Sequence, residues 1–195
     1  GKGTENPEDG RFLKGPESRT SELARLARVG ADFLRGFRAL HFVGPCVTVF
    51  GSARFPETHR YYQLGREVGQ RLGRAGFTVL TGGGPGVMEA VPLGVRVGVD
   101  EPTLKDLSKA PAFGGDAESI GRWIAACPTD LPTSDRPRTI GIPTWFYGHE
   151  PPNAFASHVA KYFRNALRED ELLRICDGGI VFLPGAAGTL QELFQ

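Results

Sequence analysis

An apolar strand that runs directly into a glycine-rich turn and a helix start is the feature that most limits the fold of this chain. The sequence contains two such junctions, FTVLTGGGPGVM at 77–88 and GIVFLPGAAGTLQE at 179–192. The first residues of a helix carry backbone N–H groups without intrahelical partners, and the positive end of the helix dipole lies at the same place. Two junctions of this kind predict that a phosphate-bearing ligand binds between them.

The segments around these junctions alternate between strand and helix patterns. Strands are predicted at 46–50, 77–81, 139–143 and 179–183, and helices at 61–75, from Val87, and from about 154 to 167 with an extension to 173. This alternation predicts an α/β fold, an open doubly wound parallel sheet of the Rossmann-like type with right-handed crossovers. We expect Pro92 to break or kink the helix that begins near Val87.

The remaining segments define the domain organisation. Residues 1–17 are polar and predict a flexible N-terminal arm, and residues 18–195 predict a single domain that opens with an amphipathic helix over 18–40. The arginines of that helix form a solvated face or contact a phosphate or a partner subunit. The proline-rich region at 98–138 predicts a helical insertion. Because the chain stops about two turns into its last helix, we expect a truncated C-terminus.

Composition narrows the classes of function. A formal net charge of +1 makes nucleic acid an unlikely partner, and the sequence has no run of about 18 apolar residues. It also lacks the apolar core of a secretory signal, so we expect a cytoplasmic protein that does not bind a membrane. Three cysteines and four histidines show no metal-ligand spacing, which predicts reduced thiols and no metal site.

The first glycine motif, residues 82–86, belongs to neither of the common phosphate-binding patterns. The third glycine of a dinucleotide fingerprint would fall on Val87, and no Lys-Ser/Thr pair follows as in a Walker loop. The motif is therefore either a glycine nest that approaches a phosphate or ribose closely, or a tight turn between a strand and a helix.

The second motif also has two interpretations. Thr189 and Glu192 have the Thr-x-x-Glu spacing of a capping box, in which each side chain bonds the backbone N–H of the other residue. Alternatively, Glu192 is a carboxylate at the mouth of a phosphate pocket, at the carboxyl ends of parallel strands where open α/β sheets place their ligands. The spacing alone does not separate the two.

Together, GGGPGVM at 82–88 and PGAAGTLQE at 184–192 resemble the GGGxxGxM and PGGxGTxxE patterns of the LOG (LONELY GUY) family. The resemblance implies a Rossmann-like homodimer without a cofactor. It also implies hydrolysis of the N-glycosidic bond of a nucleoside 5′-monophosphate to free base and ribose 5-phosphate. The alternative is a nucleotide-binding or sensing protein without turnover.

Two positions depart from the family pattern. Ala186 replaces the second motif glycine, and its methyl group is expected to obstruct a turn that needs a positive φ. Glu169 stands where the family's Arg-Lys pair has a lysine, which indicates a divergent branch.

The resemblance also implies which residues form the site. Glu192 would stabilise the oxocarbenium-like transition state and orient water, and Arg168 would position phosphate or stabilise charge. The residues expected to bind phosphate or nucleotide are Gly51, Ser52, Gly83, Gly84, Gly185, Gly188 and Thr189. Trp145, Tyr147 and His149 are possible contacts for the base, or else pack under a proline-rich loop.

Overall fold

The computed structural model of this protein describes residues 18–41, 43–96, 139–143, 155–160, 162 and 165–195. Two compact units are present, one ending at His41 and one following it. The first contains helix α1 (Arg19–Leu40), which confirms the helix predicted over 18–40. The side chain of Ser18 caps this helix, because its Oγ accepts a hydrogen bond from the backbone N–H of Ser21 at 3.3 Å. None of the described helices is both long and apolar enough to span a membrane.

In the described part of the second unit, five parallel strands form a sheet. They are β1 (Cys46–Phe50), β2 (Thr78–Thr81), β3 (Thr139–Gly141), β4 (His158–Val159) and β5 (Gly179–Phe182). Their spatial order is β4-β3-β2-β1-β5, and each neighbouring pair is parallel. The order places β2 at the centre of the sheet and β1 beside it, and these are the strands that precede the first two turns. This topology confirms the open parallel Rossmann-like fold.

The described helices that flank the sheet are α2 (Arg60–Arg74), α3 (Val87–Val95), α4 (Asn165–Arg174) and α5 (Ala187–Phe194). All residues of β1 and β2 are buried, as expected for central strands of a sheet with helices packed on it. The hydrophobic core combines these strands with helix α3 and with the residue after β5. Its buried members are Val47, Val49, Val79, Val87, Val91, Val95 and Leu183.

Helix α3 continues past Pro92 as far as Val95, so a break at that residue was wrong, whereas a kink there stays a prediction. Proline lacks the N–H that would bond the carbonyl of Met88 one turn earlier. The hydroxyl of Thr81 donates to this carbonyl oxygen at 3.2 Å. The acceptor that proline leaves without its helical partner is therefore satisfied from the end of β2.

The helix predicted from about 154 was also wrong at its start, because residues 158–159 form edge strand β4 and helix α4 begins only at Asn165. Ser157 fixes this segment against β3. Its backbone N–H donates to Thr139 Oγ1 at 2.9 Å, and its hydroxyl donates to the Thr139 carbonyl at 2.8 Å. These hydrogen bonds between distant parts of the chain hold the segment at the edge of the sheet.

The expected N-terminal arm at 1–17 and the expected insertion at 98–138 lie outside the described residues.

Candidate functional site

A cleft of about 370 Å³ lies at the carboxyl ends of the central strands, within the α/β unit. It is bounded by the turns after β1, β2 and β3, by helix α4 and by the start of helix α5. Eight of the nine residues predicted for catalysis or phosphate binding line it, namely Gly51, Ser52, Gly83, Gly84, Arg168, Gly188, Thr189 and Glu192. The two glycine junctions therefore face one cavity, as the sequence predicts.

The backbone of Ser52 connects the two junctions. Its N–H donates to the carbonyl of Pro184 at 3.3 Å, and its carbonyl accepts from the N–H of Val87 at 2.9 Å. Gly86 has φ +69°, and a Cβ at this position would collide with the Ser52 carbonyl oxygen. Glycine is thus required at residue 86 both for the backbone conformation and for the close approach. The Gly51–Ser52 turn joins the two walls of the cleft.

Arg168 crosses the floor of the cleft with its side chain buried, only 8% of the residue being exposed. Its Nε donates to the carbonyl of Ile142 at 2.7 Å, and its Nη1 donates to Asn165 Oδ1 at 3.1 Å. A Cβ at Gly82 would collide with Nη2, so the first glycine of the triple-glycine turn makes room for the guanidinium group. The arginine is held in one orientation by the carbonyl of the residue after β3 and by Asn165 of its own helix.

Glu192 faces Arg168 from helix α5, with 3.9 Å between its Oε1 and Arg168 Nη1. Only 14% of the glutamate side chain is exposed. Burial raises the pKa of Glu192 from 4.5 to about 7; the positive charge of Arg168 opposes this shift and the negative charge of Glu169 adds to it. At neutral pH the carboxyl group is therefore present in both its protonated and its ionised form.

The capping-box interpretation of Thr189 and Glu192 was wrong. Helix α5 begins at Ala187, its cap residue is Ala186, and no side chain makes the capping hydrogen bond. Thr189 is thus already inside the first turn. Since the Glu192 carboxylate is one turn too far along the helix to bond the cap residue, it is available to face Arg168.

The expected obstruction by Ala186 was also wrong. Ala186 has φ −100° and ψ −157°, an extended conformation that any residue adopts, and the described residues include no non-glycine residue with positive φ. The position therefore does not require glycine. Gly185 does not line the cleft; a Cβ there would collide with Thr189 Oγ1, so this glycine lets the threonine side chain pack over the turn.

Sequence reasoning missed several residues that line the cleft. Arg54 and Ala53 come from the turn after β1, Gly82 and Met88 from the first junction, and Pro143 follows β3. The signal for Arg54 was present, since a cation two residues after the Gly51–Ser52 turn must lie near the carboxyl end of a central strand. Ser52 Oγ accepts from the Arg54 N–H at 3.1 Å, which fixes the backbone of this turn.

The predicted base contacts Trp145, Tyr147 and His149 lie outside the described residues. Within the described part of the chain, no group of three or more His, Cys, Asp or Glu side chains is placed to hold a metal ion. The cleft offers, from its described lining, two cations, Arg54 and Arg168, and one carboxyl group, Glu192. This set suits an anionic ligand and a reaction that moves a proton at neutral pH.

A parallel sheet with its cleft at the strands' carboxyl ends defines a Rossmann-like α/β protein with a candidate nucleotide site. The family model of the SLOG cluster4 family matches residues 45–99, which contain the first junction. The chain is 32% identical over 165 residues, or 83% of its length, to three Escherichia coli proteins. Each of them, from strains K12, O6:H1 and O157:H7, is named pyrimidine/purine nucleotide 5′-monophosphate nucleosidase. The chain spans 29% of the length of these relatives.

A solved structure has the same fold. The X-ray structure of TM1055, a structural genomics target, aligns with a TM-score of 0.50 at 23% sequence identity, over 77% of this chain and 66% of that one. A molybdenum cofactor binding protein from Rippkaea orientalis aligns with a TM-score of 0.48 at 17% identity, over 77% and 68% of the two chains. By these two sequence matches the chain is similar to proteins of the LOG/SLOG family, and the TM1055 structure supports the Rossmann-like fold.

Proposed function

We propose that this protein hydrolyses the N-glycosidic bond of a nucleoside 5′-monophosphate, giving free base and ribose 5-phosphate. The observation that carries the proposal is the pairing of Glu192 with Arg168 in a cleft bounded by two glycine junctions. The nucleotide 5′-monophosphate nucleosidases that share 32% identity with the chain support the same reaction class. They are longer proteins, of which this chain spans 29%.

The phosphate is expected to bind at the first turn of helix α5, where Gly188 and Thr189 line the cleft. Backbone N–H groups at a helix start, the helix dipole and the threonine hydroxyl all favour an anion there. Arg54 supplies a positive charge from the opposite turn. Arg168 is less suited to this task, because Ile142 and Asn165 already accept hydrogen bonds from its guanidinium group.

The chemistry then centres on Glu192. As the bond between C1′ of the ribose and the base nitrogen breaks, the base departs with the electron pair and positive charge develops on the sugar. Glu192 begins the turnover protonated and donates its proton to the departing base. The carboxylate formed by that donation stabilises the positive charge on the sugar and then takes a proton from the attacking water, whose oxygen bonds C1′, so that the acid is restored. A pKa raised to about 7 keeps a protonated fraction at neutral pH for the first step.

The test is an assay of base release from a panel of purine and pyrimidine nucleoside 5′-monophosphates, with the matching nucleosides as controls. Glu192→Gln keeps the size and polarity of the side chain but removes its ionisation. We expect this variant to lose at least about 100-fold in kcat, by the usual effect of removing a proton-transfer group, while still binding nucleotide. If wild-type protein carrying its complete native sequence releases no base from any member of the panel, the proposal is refuted.

A nucleotide-binding or sensing role without turnover is the second candidate. The buried acid at Glu169, where the family pattern has a lysine, favours it because the charge of the site differs from that pattern. Calorimetry with the same panel separates the candidates, since a sensor would bind one nucleotide and return it intact. The implied homodimer and cytoplasmic location stay predictions.

A further inference from the structure

Three side chains on one face of helix α4 form a chain of contacts that ends at Glu192. The amide nitrogen of Asn165 donates to Glu169 Oε1, and the amide oxygen of the same residue accepts from Arg168 Nη1 at 3.1 Å. The guanidinium group in turn lies 3.9 Å from Glu192 Oε1. Asn165 thereby holds an anion and a cation side by side beneath the carboxyl group of the cleft.

Glu169 is not a surface residue that happens to lie near the site. Only 6% of it is exposed, so water screens its charge poorly. Asn165 is neutral, and its contact with Glu169 satisfies a carboxylate oxygen without cancelling the charge. The negative charge of Glu169 therefore adds to the effect of burial in raising the pKa of Glu192.

We propose that Glu169, held in place by Asn165, is a positioning residue whose charge keeps Glu192 partly protonated at neutral pH, so that it can donate to the departing base. The role in turnover rests on the proposed hydrolase function; the electrostatic relation between the two carboxyl groups does not.

The charged groups around Glu192 in the described structure are few. Arg168 lies 3.9 Å from it on helix α4, Glu169 is the next residue of that helix and contacts Asn165, and Arg54 lines the same cleft from the turn after β1. The other described residues that line the cleft are uncharged. Arg168 favours the ionised form of Glu192, whereas burial and Glu169 favour the protonated form. A lysine at position 169 would reverse one of these contributions, so the glutamate changes the acid–base balance of the site.

This balance bears on the class of substrate. A base that leaves only after it is protonated needs an acid in the cleft, and a carboxyl group that is mostly ionised at neutral pH is a poor one. A site that keeps its carboxyl group partly protonated is suited to such leaving groups. Glu169 thus favours nucleotides whose base accepts a proton on a ring nitrogen during departure.

The experiment compares Glu169→Gln with Asp170→Asn, the neighbouring residue on the same helix. Asp170 pairs with Arg174, and its substitution removes one negative charge outside the cleft. The carboxyl carbon of Glu192 is followed by NMR in ¹³C-labelled protein over pH 4 to 9, its signal assigned by its loss in Glu192→Gln. We expect the midpoint to fall by roughly half to one pH unit in Glu169→Gln and to stay unchanged in Asp170→Asn.

Glu169→Lys extends the series, because a cation should lower the midpoint further than the neutral glutamine does. It also serves as the test if the glutamine variant does not fold. Equal midpoints in wild type and the folded position-169 variants, or an equal shift in Asp170→Asn, would overturn the proposal.

Kinetics supply the second readout. The alkaline limb of the pH dependence of kcat should move to lower pH in Glu169→Gln, with little change in KM for a nucleoside monophosphate. An unmoved alkaline limb in an active variant with a shifted NMR midpoint would overturn the role of the protonated form. The NMR titration does not depend on turnover. If the protein releases no base, the proposed hydrolase function is refuted, and the titration still measures the effect of Glu169 on the midpoint of Glu192.

Discussion

Glu171 on helix α4 gives a prediction about stability that is independent of the proposed activity. The residue is fully buried, and neither of its carboxylate oxygens has a hydrogen-bond partner among the described residues. Burial raises the pKa of this carboxyl group from 4.5 to about 7; Asp170 adds to the shift and Arg174 opposes it. The folded protein therefore binds the proton more tightly than the unfolded chain does.

The sign and size of the effect follow from this difference. The contribution that protonated Glu171 makes to the free energy of unfolding is fully present below about pH 4.5, and it is lost as the pH rises through about 7. At about 1.4 kcal/mol per pKa unit, the interval between 4.5 and 7 corresponds to about 3 kcal/mol. Glu171→Gln has no ionised form, so its free energy of unfolding should rise relative to wild type by up to this amount between pH 4.5 and pH 8.

Urea unfolding followed by far-ultraviolet circular dichroism at a series of pH values measures the difference between the two proteins. The shifted pKa of Glu192 is common to both and cancels. Glu67→Gln is the matched control, because that side chain is 53% exposed and pairs with Arg71 on the surface of helix α2. A difference between wild type and Glu171→Gln that is the same at pH 5 and pH 8 would show that the buried carboxyl group does not titrate as argued.

Two further predictions concern the cleft. Gly82→Ala should displace the Arg168 guanidinium group and lower the rate of base release by at least about tenfold. Thr81→Ser, at the neighbouring position, is the control and should change that rate little. Equal activity of the two variants would contradict the placement of Arg168. Arg54→Ala should weaken the binding of ribose 5-phosphate, measured by calorimetry, by about tenfold or more. Arg74→Ala, on the exposed end of helix α2, is the control and should leave the affinity unchanged. An unchanged affinity in Arg54→Ala would exclude the phosphate contact.

The parts of the fold that local patterns encode were predicted well. Strand β1 has the predicted bounds, and β2 and α2 begin within one residue of the predicted positions. A run of β-branched residues, a helical period and a glycine stop are all readable within ten residues of sequence. The family motifs then indicated which turns face each other, and the cleft brings those turns together.

The errors lie where a distant partner decides the structure. Ser157 bonds Thr139, and no periodicity in residues 154–160 reveals that contact. Glu192 has the spacing of a cap but faces Arg168, because helix α5 starts earlier than the Thr-x-x-Glu pattern indicates. The proton affinity of Glu192 is likewise set by burial and by neighbours on another helix, and spacing carries no information about either.

The Ser52 turn has a consequence for how such a site can diverge. Both groups that tie the walls together, the N–H and the carbonyl of residue 52, belong to the main chain. Ser52 is buried, so side chains of similar size can replace it without removing these two main-chain hydrogen bonds. Ala53 and Arg54, the next residues on the same turn, line the cleft with exposed side chains. Substitutions of Ala53 or Arg54 can therefore change which ligand the cleft recognises without removing the main-chain hydrogen bonds that join its walls.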